Sequence, residues 1–233
     1  MKIAVIFGGT STEHDVSISS GTSVIKNLDK EKYEVHPIYI DKNGDWYRYT
    51  KEVEKIRPLK VGEKLEQVEK IENTIETLKQ MEVIFPVIHG LGGEDGSLQG
   101  LFELIQKPYV GCKVLASSLA MDKAYAKMIF EKAEIKQTKH VYIRKNNDKY
   151  ICVKNDLSEE IMNIENLCTY IVEKIKFPMF IKPSNSGSSV GIKKVRTIEE
   201  LKEAIKYAEK FDKRIVIEEG IVRKRTRVRS TRK

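Results

Sequence analysis

Two successive units of strand, glycine-rich loop and helix constrain the fold of the first half of this chain. An apolar run at residues 2–7 ends at two glycines and precedes a helix predicted over residues 15–28. Residues 83–88 repeat the pattern, with the glycine-rich loop 89–96 ahead of a second predicted helix. Such units build parallel sheets that bind ligands at the carboxyl ends of their strands. We therefore predict a small α/β domain over residues 1–115.

The rest of the chain also mixes helical and strand patterns. Residues 51–82, rich in Lys and Glu, are predicted to be a solvated excursion with some helix, to which we assign no chemistry. Pro178 lies within an apolar run, so that strand should be bulged or lie at a sheet edge. The further predicted elements are a helix at 114–133, a strand at 138–143, helices at 158–175 and 198–210, and a strand at 214–219.

The loop at residues 182–191 joins two apolar runs and is rich in Ser and Gly. Small residues let backbone N–H groups approach a ligand, and several such dipoles can converge on one anion. Lys182 adds a positive charge at the start of the loop. A phosphate site is therefore one interpretation of this stretch. An ordinary Ser/Gly hairpin loop is the other, and the stretch alone does not separate them.

Residues 8–17 form a second candidate site directly after the first strand. A helix N-terminus after two glycines favours an anion, although the spacing lacks a dinucleotide fingerprint. Glu13 is placed where a carboxylate could bind an ammonium group. Helix capping by Ser11, Thr12 or Glu13 is the alternative.

Two further motifs are weaker when each is taken by itself. His89 begins the loop 89–96, which could contact a polar ligand or simply cap the helix at Ser97. Lys123 lies in a predicted helix, where a lysine usually faces solvent, so it predicts no chemistry alone.

Cysteine use and charge narrow the class of protein. The three cysteines are far apart and form no Cys-x-x-Cys pair, which indicates reduced thiols in a cytoplasm and no zinc site. No apolar run approaches the roughly 18 residues of a membrane span. The net charge is +8, but residues 222–233 carry seven basic residues and no acid, so the remainder is close to neutral. The charge therefore gives little support to a nucleic-acid-binding protein, because the basic tail is the only feature of the sequence that would bind nucleic acid.

Four motifs together resemble the D-alanine–D-alanine ligases of the ATP-grasp superfamily, and they occur in the family's order. They read Gly-Gly-Thr-Ser-Thr-Glu-His-Asp-Val-Ser at 8–17, His-Gly-Leu-Gly-Gly-Glu-Asp-Gly at 89–96, Met-Asp-Lys at 121–123, and Lys-Pro-Ser-Asn-Ser-Gly-Ser-Ser-Val-Gly at 182–191. The resemblance covers residues 1–221.

The resemblance implies a fold and a domain plan. We expect a Rossmann-like (pre-ATP-grasp) domain at residues 1–115, followed by an incomplete two-part α+β ATP-grasp domain. Residues 116–183 would be the small ATP-grasp subdomain, and residues 184–221 the start of its C-terminal subdomain. Residues 222–233 would be a basic tail outside the family pattern.

The resemblance also implies the roles of single residues. Glu13 would hold the ammonium of the first D-alanine, with Val16 and His89 nearby, and Ser188 would link Glu13 to a tyrosine in a catalytic triad. The residues implied to bind ATP are Lys123, Lys182, Ser188, Ser189, Glu218, Glu219 and Ile221.

The implied activity is ATP-dependent ligation of two D-alanine molecules through an acyl phosphate, for peptidoglycan precursor synthesis. D-alanine–D-lactate and D-alanine–D-serine ligases share most of these motifs and are the alternative. ATP and Mg²⁺ or Mn²⁺ are the expected cofactors, and we expect the metal ligands and the oxyanion-stabilising residue to be missing from this chain. The family usually forms homodimers, and no membrane partner is expected.

The tail has its own hypothesis. Residues 224–233 can be written in codons that, read one nucleotide later, encode a segment resembling the family's continuation after the adenine-binding strand. We therefore expect a frameshift near residue 222, no detectable ligase turnover, and an uncovered edge on the strand at 214–219. Sequencing of the locus decides the first point, since family codons should then lie in another downstream frame.

Overall fold

The computed structural model describes residues 1–154 and 157–221. The basic tail at 222–233 and the predictions made for it lie outside the described residues. The chain divides into two compact units. The first comprises residues 1–126 and 185–189, and the second comprises residues 127–184 and the chain from residue 190 onward.

The first unit is built around a five-stranded sheet in the order β4-β3-β2-β1-β5, in which β1 runs parallel to both β2 and β5. Helices connect the parallel strands, which confirms the predicted α/β class. Its elements are β1 (Lys2–Gly8), α1 (His14–Asn27), β2 (Glu34–Ile40), β3 (Trp46–Tyr49), a 3₁₀ turn (Val53–Lys55), β4 (Val68–Lys70), α2 (Thr74–Lys79), β5 (Val83–Pro86), α3 (Ser97–Leu104) and α4 (Val114–Met121).

The central strand β1 is buried on both faces, as its unbroken apolar sequence predicts. Ala4 and Ile6 belong to one core cluster, whereas Val5 and Phe7 belong to the cluster on the other face. Because β1 and β5 are adjacent and parallel, the loops that follow them emerge at the same edge of the sheet. This arrangement brings two of the sequence motifs together.

Helix α1 lies so close to β1 that only glycine fits at position 21. A Cβ added to Gly21 would overlap the Cβ and ring of Phe7, whereas one added to Gly100 in α3 would meet no atom within 4 Å. We expect Gly21→Ala to lower the free energy of unfolding by about 1–3 kcal/mol through overpacking. The matched control Gly100→Ala should raise it by about 0.5–1 kcal/mol. Urea unfolding measures both, and a stabilised Gly21→Ala protein would contradict this packing.

The segment 51–82 is less solvated than its charge predicts. It contains the described β4 and α2, and its apolar side chains at Ile56, Ile71, Leu78 and Met81 are buried. These four residues lie in or next to different elements and therefore follow no single helical or strand period. For that reason the sequence did not indicate that they are buried.

The second unit is a six-stranded antiparallel sheet in the order β10-β9-β11-β6-β7-β8. Its elements are β6 (His140–Asn146), β7 (Lys149–Val153), β8 (Glu159–Met162), α6 (Ile164–Lys174), β9 (Met179–Pro183), β10 (Lys193–Val195), α7 (Ile198–Ala208) and β11 (Arg214–Glu219); helix α5 (Lys123–Lys132) begins in the first unit and ends in this one. Helices α6 and α7 bury Leu167, Ile171, Leu201 and Ile205 with one face of this sheet.

Strand alternation places charged residues of the second unit on the face opposite α6 and α7. In β9, Ile181 belongs to the core cluster and Lys182 does not; in β11, Ile217 belongs and Glu218 does not. Successive side chains of a strand point to opposite faces. Lys182 and Glu218 therefore share the second face on neighbouring strands.

Two predicted helices were wrong in their extent. The helix predicted over residues 114–133 is interrupted at Asp122, whose Oδ1 accepts hydrogen bonds from the N–H groups of Ala124 and Tyr125 and so caps α5. Within the helix predicted over 158–175, the residues of β8 pair with β7 instead. Asn163 caps α6 through the N–H of Asn166, which is why the helix begins only at Ile164.

Two edge predictions were also wrong. Pro178 lies just before β9, and β9 is an inner strand paired with β10 and β11, so no bulge or edge is required. The strand at 214–219 is flanked by β9 and β6 and has no free edge. Among the described helices, none has the length and apolarity to cross a membrane.

Candidate functional site

The carboxylate of Glu13 lies at the start of α1, in the loop that follows β1. Its side chain makes no capping hydrogen bond to the helix. Instead, one carboxylate oxygen, Oε1, accepts a hydrogen bond from the Ser188 hydroxyl, which lies 175 residues further along the chain. Residues 185–189 belong to the first unit, so this contact is internal to it. Helix capping by Glu13, one of the two interpretations of this motif, is therefore not what the structure contains.

Hydrogen bonds fix the loop that carries Glu13. The Ser11 hydroxyl accepts from the Glu13 N–H at 3.1 Å and donates to the carbonyl of His89 at 2.7 Å. Ser17 extends the connection, since its hydroxyl accepts from the Gly8 N–H and donates to the carbonyl of Val87. The loops after β1 and β5 are thus held together beneath the carboxylate.

Two glycines from separate loops crowd the second carboxylate oxygen of Glu13. A Cβ at Gly90 would lie 2.7 Å from Glu13 Oε2, and a Cβ at Gly187 would lie 2.8 Å from the same atom. Gly90 also has a φ of +74°, which disfavours other residues. The partly exposed carboxylate therefore lies against the backbone at two glycines, and side chains at these two positions would displace it.

The serine loop adopts an unusual backbone next to this carboxylate. Ser188 and Ser189 have φ values of +46° and +62°, in the left-handed region that non-glycine residues rarely occupy. The carbonyl of Ser186 accepts a hydrogen bond of 2.6 Å from Lys123 Nζ, so Lys123 is anchored at this loop and does not simply face solvent. Strained backbone of this kind is concentrated at functional sites.

His89, Val16 and Ile221 occupy more ordinary surroundings. The His89 ring lies 3.0 Å from the Ser20 hydroxyl through Nε2 and 3.8 Å from Glu94 through Nδ1. At the start of the following helix, Asp95 accepts a hydrogen bond from the Ser97 N–H, whereas the N-cap residue is Gly96, which has no side chain to contribute. Val16 and Ile221 are exposed. Their implied ligand contacts, and that of the partly buried Glu219, stay predictions.

In the second unit, Glu218 lies between two lysines. Its Oε2 is 2.6 Å from Lys182 Nζ and its Oε1 is 3.3 Å from Lys127 Nζ. Burial raises the pKa of the Glu218 carboxyl, but the hydrogen bond from Lys182 and the charges of Lys182 and Lys127 outweigh it and hold the pKa below its ordinary value. The group is therefore an acceptor at neutral pH, and the cluster carries one surplus positive charge.

His140 completes the surroundings of this cluster. It lies at the start of β6, paired in register with Glu218. Burial lowers the pKa of the His140 imidazole below its ordinary value, and the charge of Lys127 contributes in the same direction. The ring is therefore neutral at pH 7 and adds no further charge to the cluster.

Sequence reasoning missed Lys127, Gly90 and Gly187 as members of these two sites. A helical spacing signal was present for Lys127, because it follows Lys123 by four residues on α5 and so lies on the same side of the helix. The close approaches of the two glycines depend on the folded loops and have no local sequence signal.

Within the described residues, the predicted site coincides neither with a metal centre nor with a large cavity of the second unit. Across residues 1–154 and 157–221, no group of three or more His, Cys, Asp or Glu side chains is placed to hold a metal ion. These residues therefore do not fit the implied Mg²⁺ or Mn²⁺, and we derive no step through a metal. A cavity of about 650 Å³ in the second unit is lined by residues of α5, β6, β7 and α6, and none of the predicted site residues lines it.

Comparisons with known proteins give a consistent result. The family model described as "D-ala D-ala ligase N-terminus" matches residues 2–112, and "D-ala D-ala ligase C-terminus" matches residues 129–228. The D-alanine–D-alanine ligase of Acetivibrio thermocellus is 41% identical, over 94% of this chain and 62% of that protein. The VanG D-Ala:D-Ser ligase of Enterococcus faecalis superposes with a TM-score of 0.77 at 36% identity, over 95% of this chain and 63% of that one. The D-alanine–D-alanine ligase of Coxiella burnetii gives a TM-score of 0.75 at 27% identity, over 95% and 62%.

The chain therefore belongs to the D-alanine–D-alanine ligase family, as its four motifs predict. This also confirms the expected fold, a Rossmann-like domain followed by part of an ATP-grasp domain. The chain spans about 60% of the length of the relatives it matches.

Proposed function

We propose that this protein is related by descent to enzymes for the ATP-dependent joining of two D-alanine molecules to D-alanyl-D-alanine, a precursor of peptidoglycan, and that the chain binds these substrates without detectable turnover. The observation that carries the proposal is the contact between the Glu13 carboxylate and the Ser188 hydroxyl. It connects two of the four family motifs in space. A partly exposed carboxylate that lies beside two glycines and makes no capping bond to the helix is suited to hold a small ammonium group.

The first D-alanine would bind at Glu13. Ser188 occupies one oxygen of the carboxylate as a donor, which leaves lone pairs that can accept N–H bonds from the substrate ammonium. Ser188 thereby acts as a positioning residue that fixes the carboxylate. Val16 and His89 are proposed as neighbours of the substrate on α1 and on the loop after β5.

The nucleotide would bind through lysines and backbone donors. Lys123 and Lys182 would neutralise phosphate charge, and the Ser188-Ser189 backbone would donate N–H groups to phosphate oxygens. Glu218, Glu219 and Ile221, at the end of β11, would contact the adenine. The surplus positive charge of the Lys127–Glu218–Lys182 cluster supports an anionic ligand there.

The chemistry requires activation of a carboxylate. A carboxylate oxygen of the first D-alanine attacks the γ-phosphorus of ATP, ADP departs, and an acyl phosphate forms. The amine of the second D-alanine, having lost a proton, attacks the acyl carbon, and phosphate leaves from the tetrahedral intermediate. Catalysis of this kind is mainly positioning and charge neutralisation. In the described chain these tasks fall to Glu13, Lys123 and Lys182.

Joining of D-alanine to D-lactate or D-serine is the second candidate. The VanG enzyme of similar structure is named as a D-Ala:D-Ser ligase, and the same first-substrate corner would serve all three reactions. We further propose a cytoplasmic location, supported by the free cysteines Cys112, Cys152 and Cys168, and a homodimeric assembly of the kind usual in the family.

Ligand binding to the purified chain tests the proposal. We expect calorimetric titration to show ATP binding, and D-alanine to bind in preference to L-alanine, as the proposed reaction requires. Ligands that bind only the folded state should also raise the unfolding temperature. A chain that ignored millimolar ATP, or that bound the two alanine enantiomers equally, would contradict the proposal.

A further inference from the structure

Lys127 is a mostly buried lysine that none of the four family motifs includes. Its Nζ lies 3.3 Å from Glu218 Oε1, and the two side chains are only 13% and 14% exposed. The other oxygen of the same carboxylate is held by Lys182 at 2.6 Å. All three residues lie in the second unit. Glu218 thus has one lysine on each of its two oxygens.

Hydrogen bonds to the segment before β6 hold Lys127 in place. Its backbone carbonyl accepts a hydrogen bond of 2.8 Å from Gln137 Nε2, and its Nζ is 3.5 Å from the Thr138 hydroxyl. These contacts tie helix α5 to the segment that enters β6. The lysine is therefore held against the sheet face that carries Glu218.

In the proposed nucleotide site, Lys182 and Lys127 have different roles. The role of Lys127 rests on that proposed function. A phosphate would compete with Glu218 for Lys182, whose contact with the carboxylate would then weaken. A buried carboxylate without a partner is costly and tends to take up a proton. Lys127 supplies the partner that does not depend on the phosphate.

We propose that Lys127 is a positioning residue that keeps Glu218 ionised and fixed while nucleotide occupies Lys182, and so gives the site its preference for a 6-aminopurine. An ionised carboxylate only accepts hydrogen bonds. It can therefore bind the exocyclic amino group of an adenine nucleotide, and it meets the 6-oxo group of an inosine nucleotide as a repulsive acceptor. If Glu218 were protonated, or if its side chain turned away from the base, the site would no longer distinguish a 6-amino group from a 6-oxo group.

The test compares two nucleotides that differ only at that group. The β,γ-imido analogues of ATP and of inosine triphosphate are titrated calorimetrically into the full chain. We expect the unaltered chain to prefer the adenine analogue by about 10- to 100-fold, the value of a hydrogen bond to a charged group. Lys127→Met should reduce the preference to less than about threefold, mainly by weakening the adenine analogue, and Lys127→Arg should restore it.

A matched control and distinct outcomes keep the test decisive. Lys132→Met removes an exposed lysine from the same helix and should leave the preference unchanged. An unchanged preference in Lys127→Met, or an equal loss of both analogues, would overturn the positioning role while leaving the nucleotide site intact. Failure of the unaltered chain to bind either analogue would overturn the proposed nucleotide site, and this inference with it.

Discussion

Lys182→Met is expected to weaken ATP binding by about 100-fold or more, the largest functional effect among the described residues. A lysine bound to phosphate contributes a charge-assisted hydrogen bond as well as charge neutralisation, and such bonds are about twice as strong as neutral ones. The change also removes the 2.6 Å partner of Glu218. Without Lys182, Glu218 and Lys127 form a neutral pair, so the cluster loses the surplus positive charge that would attract a triphosphate.

Calorimetric titration with ATP measures the effect. Lys149→Met provides the control, because Lys149 is an exposed lysine at the start of β7 in the same sheet. It should bind ATP as the unaltered chain does. Circular dichroism should show that Lys182→Met remains folded, since Lys127 still contacts Glu218. A folded Lys182→Met chain that bound ATP normally would exclude this lysine from the nucleotide site.

Glu13→Ala should remove detectable binding of D-alanine while leaving the protein stable. The ammonium of a free amino acid needs an anionic partner, and a hydrogen bond between charged groups is worth about 1.5–3 kcal/mol, which is a large share of the affinity of so small a ligand. Because Glu13 makes no capping bond to α1 and loses only an exposed hydrogen bond from Ser188, we expect the free energy of unfolding to fall by no more than about 1 kcal/mol.

Asp15→Ala is the matched control for Glu13→Ala. Asp15 lies two residues further along in the first turn of α1, where its carboxylate pairs with Lys42 on the surface at 3.2 Å. Its loss should not change D-alanine binding. Titration of both variants with D-alanine separates a specific role of Glu13 from a general loss of negative charge. Equal weakening by the two variants would count against the ammonium site.

The first unit was largely predictable because its signals are local. The apolar run of β1 is followed at once by two glycines, and the loop after β5 has the same form. Parallel strands then place both loops at one edge, so the meeting of Ser11 with the His89 carbonyl follows from topology. No local signal, however, shows that residues 185–189 belong to the same unit.

The second unit was harder to predict because its pairing is remote. β11 pairs with β6, which lies some 70 residues earlier in the chain. Only this pairing shows that β11 is an inner strand. Four residues of β8 resemble the start of the following helix until β7 pairs with them. Lys127 was overlooked for a related reason, since a lysine in a helix is judged by its neighbours in sequence, whereas its partner Glu218 lies on another element.

The crowding of Glu13 by Gly90 and Gly187 has a consequence for how sequence can vary. A Cβ at either glycine would lie within 2.8 Å of the same Glu13 oxygen, so a methyl group at either position would make the carboxylate move. Positions 13, 90 and 187 therefore behave as one epistatic unit, in which the effect of a double replacement is not the sum of the single effects. A replacement at one of these positions is therefore limited by the residues at the other two, so redesign of the amino-acid site has to change them together.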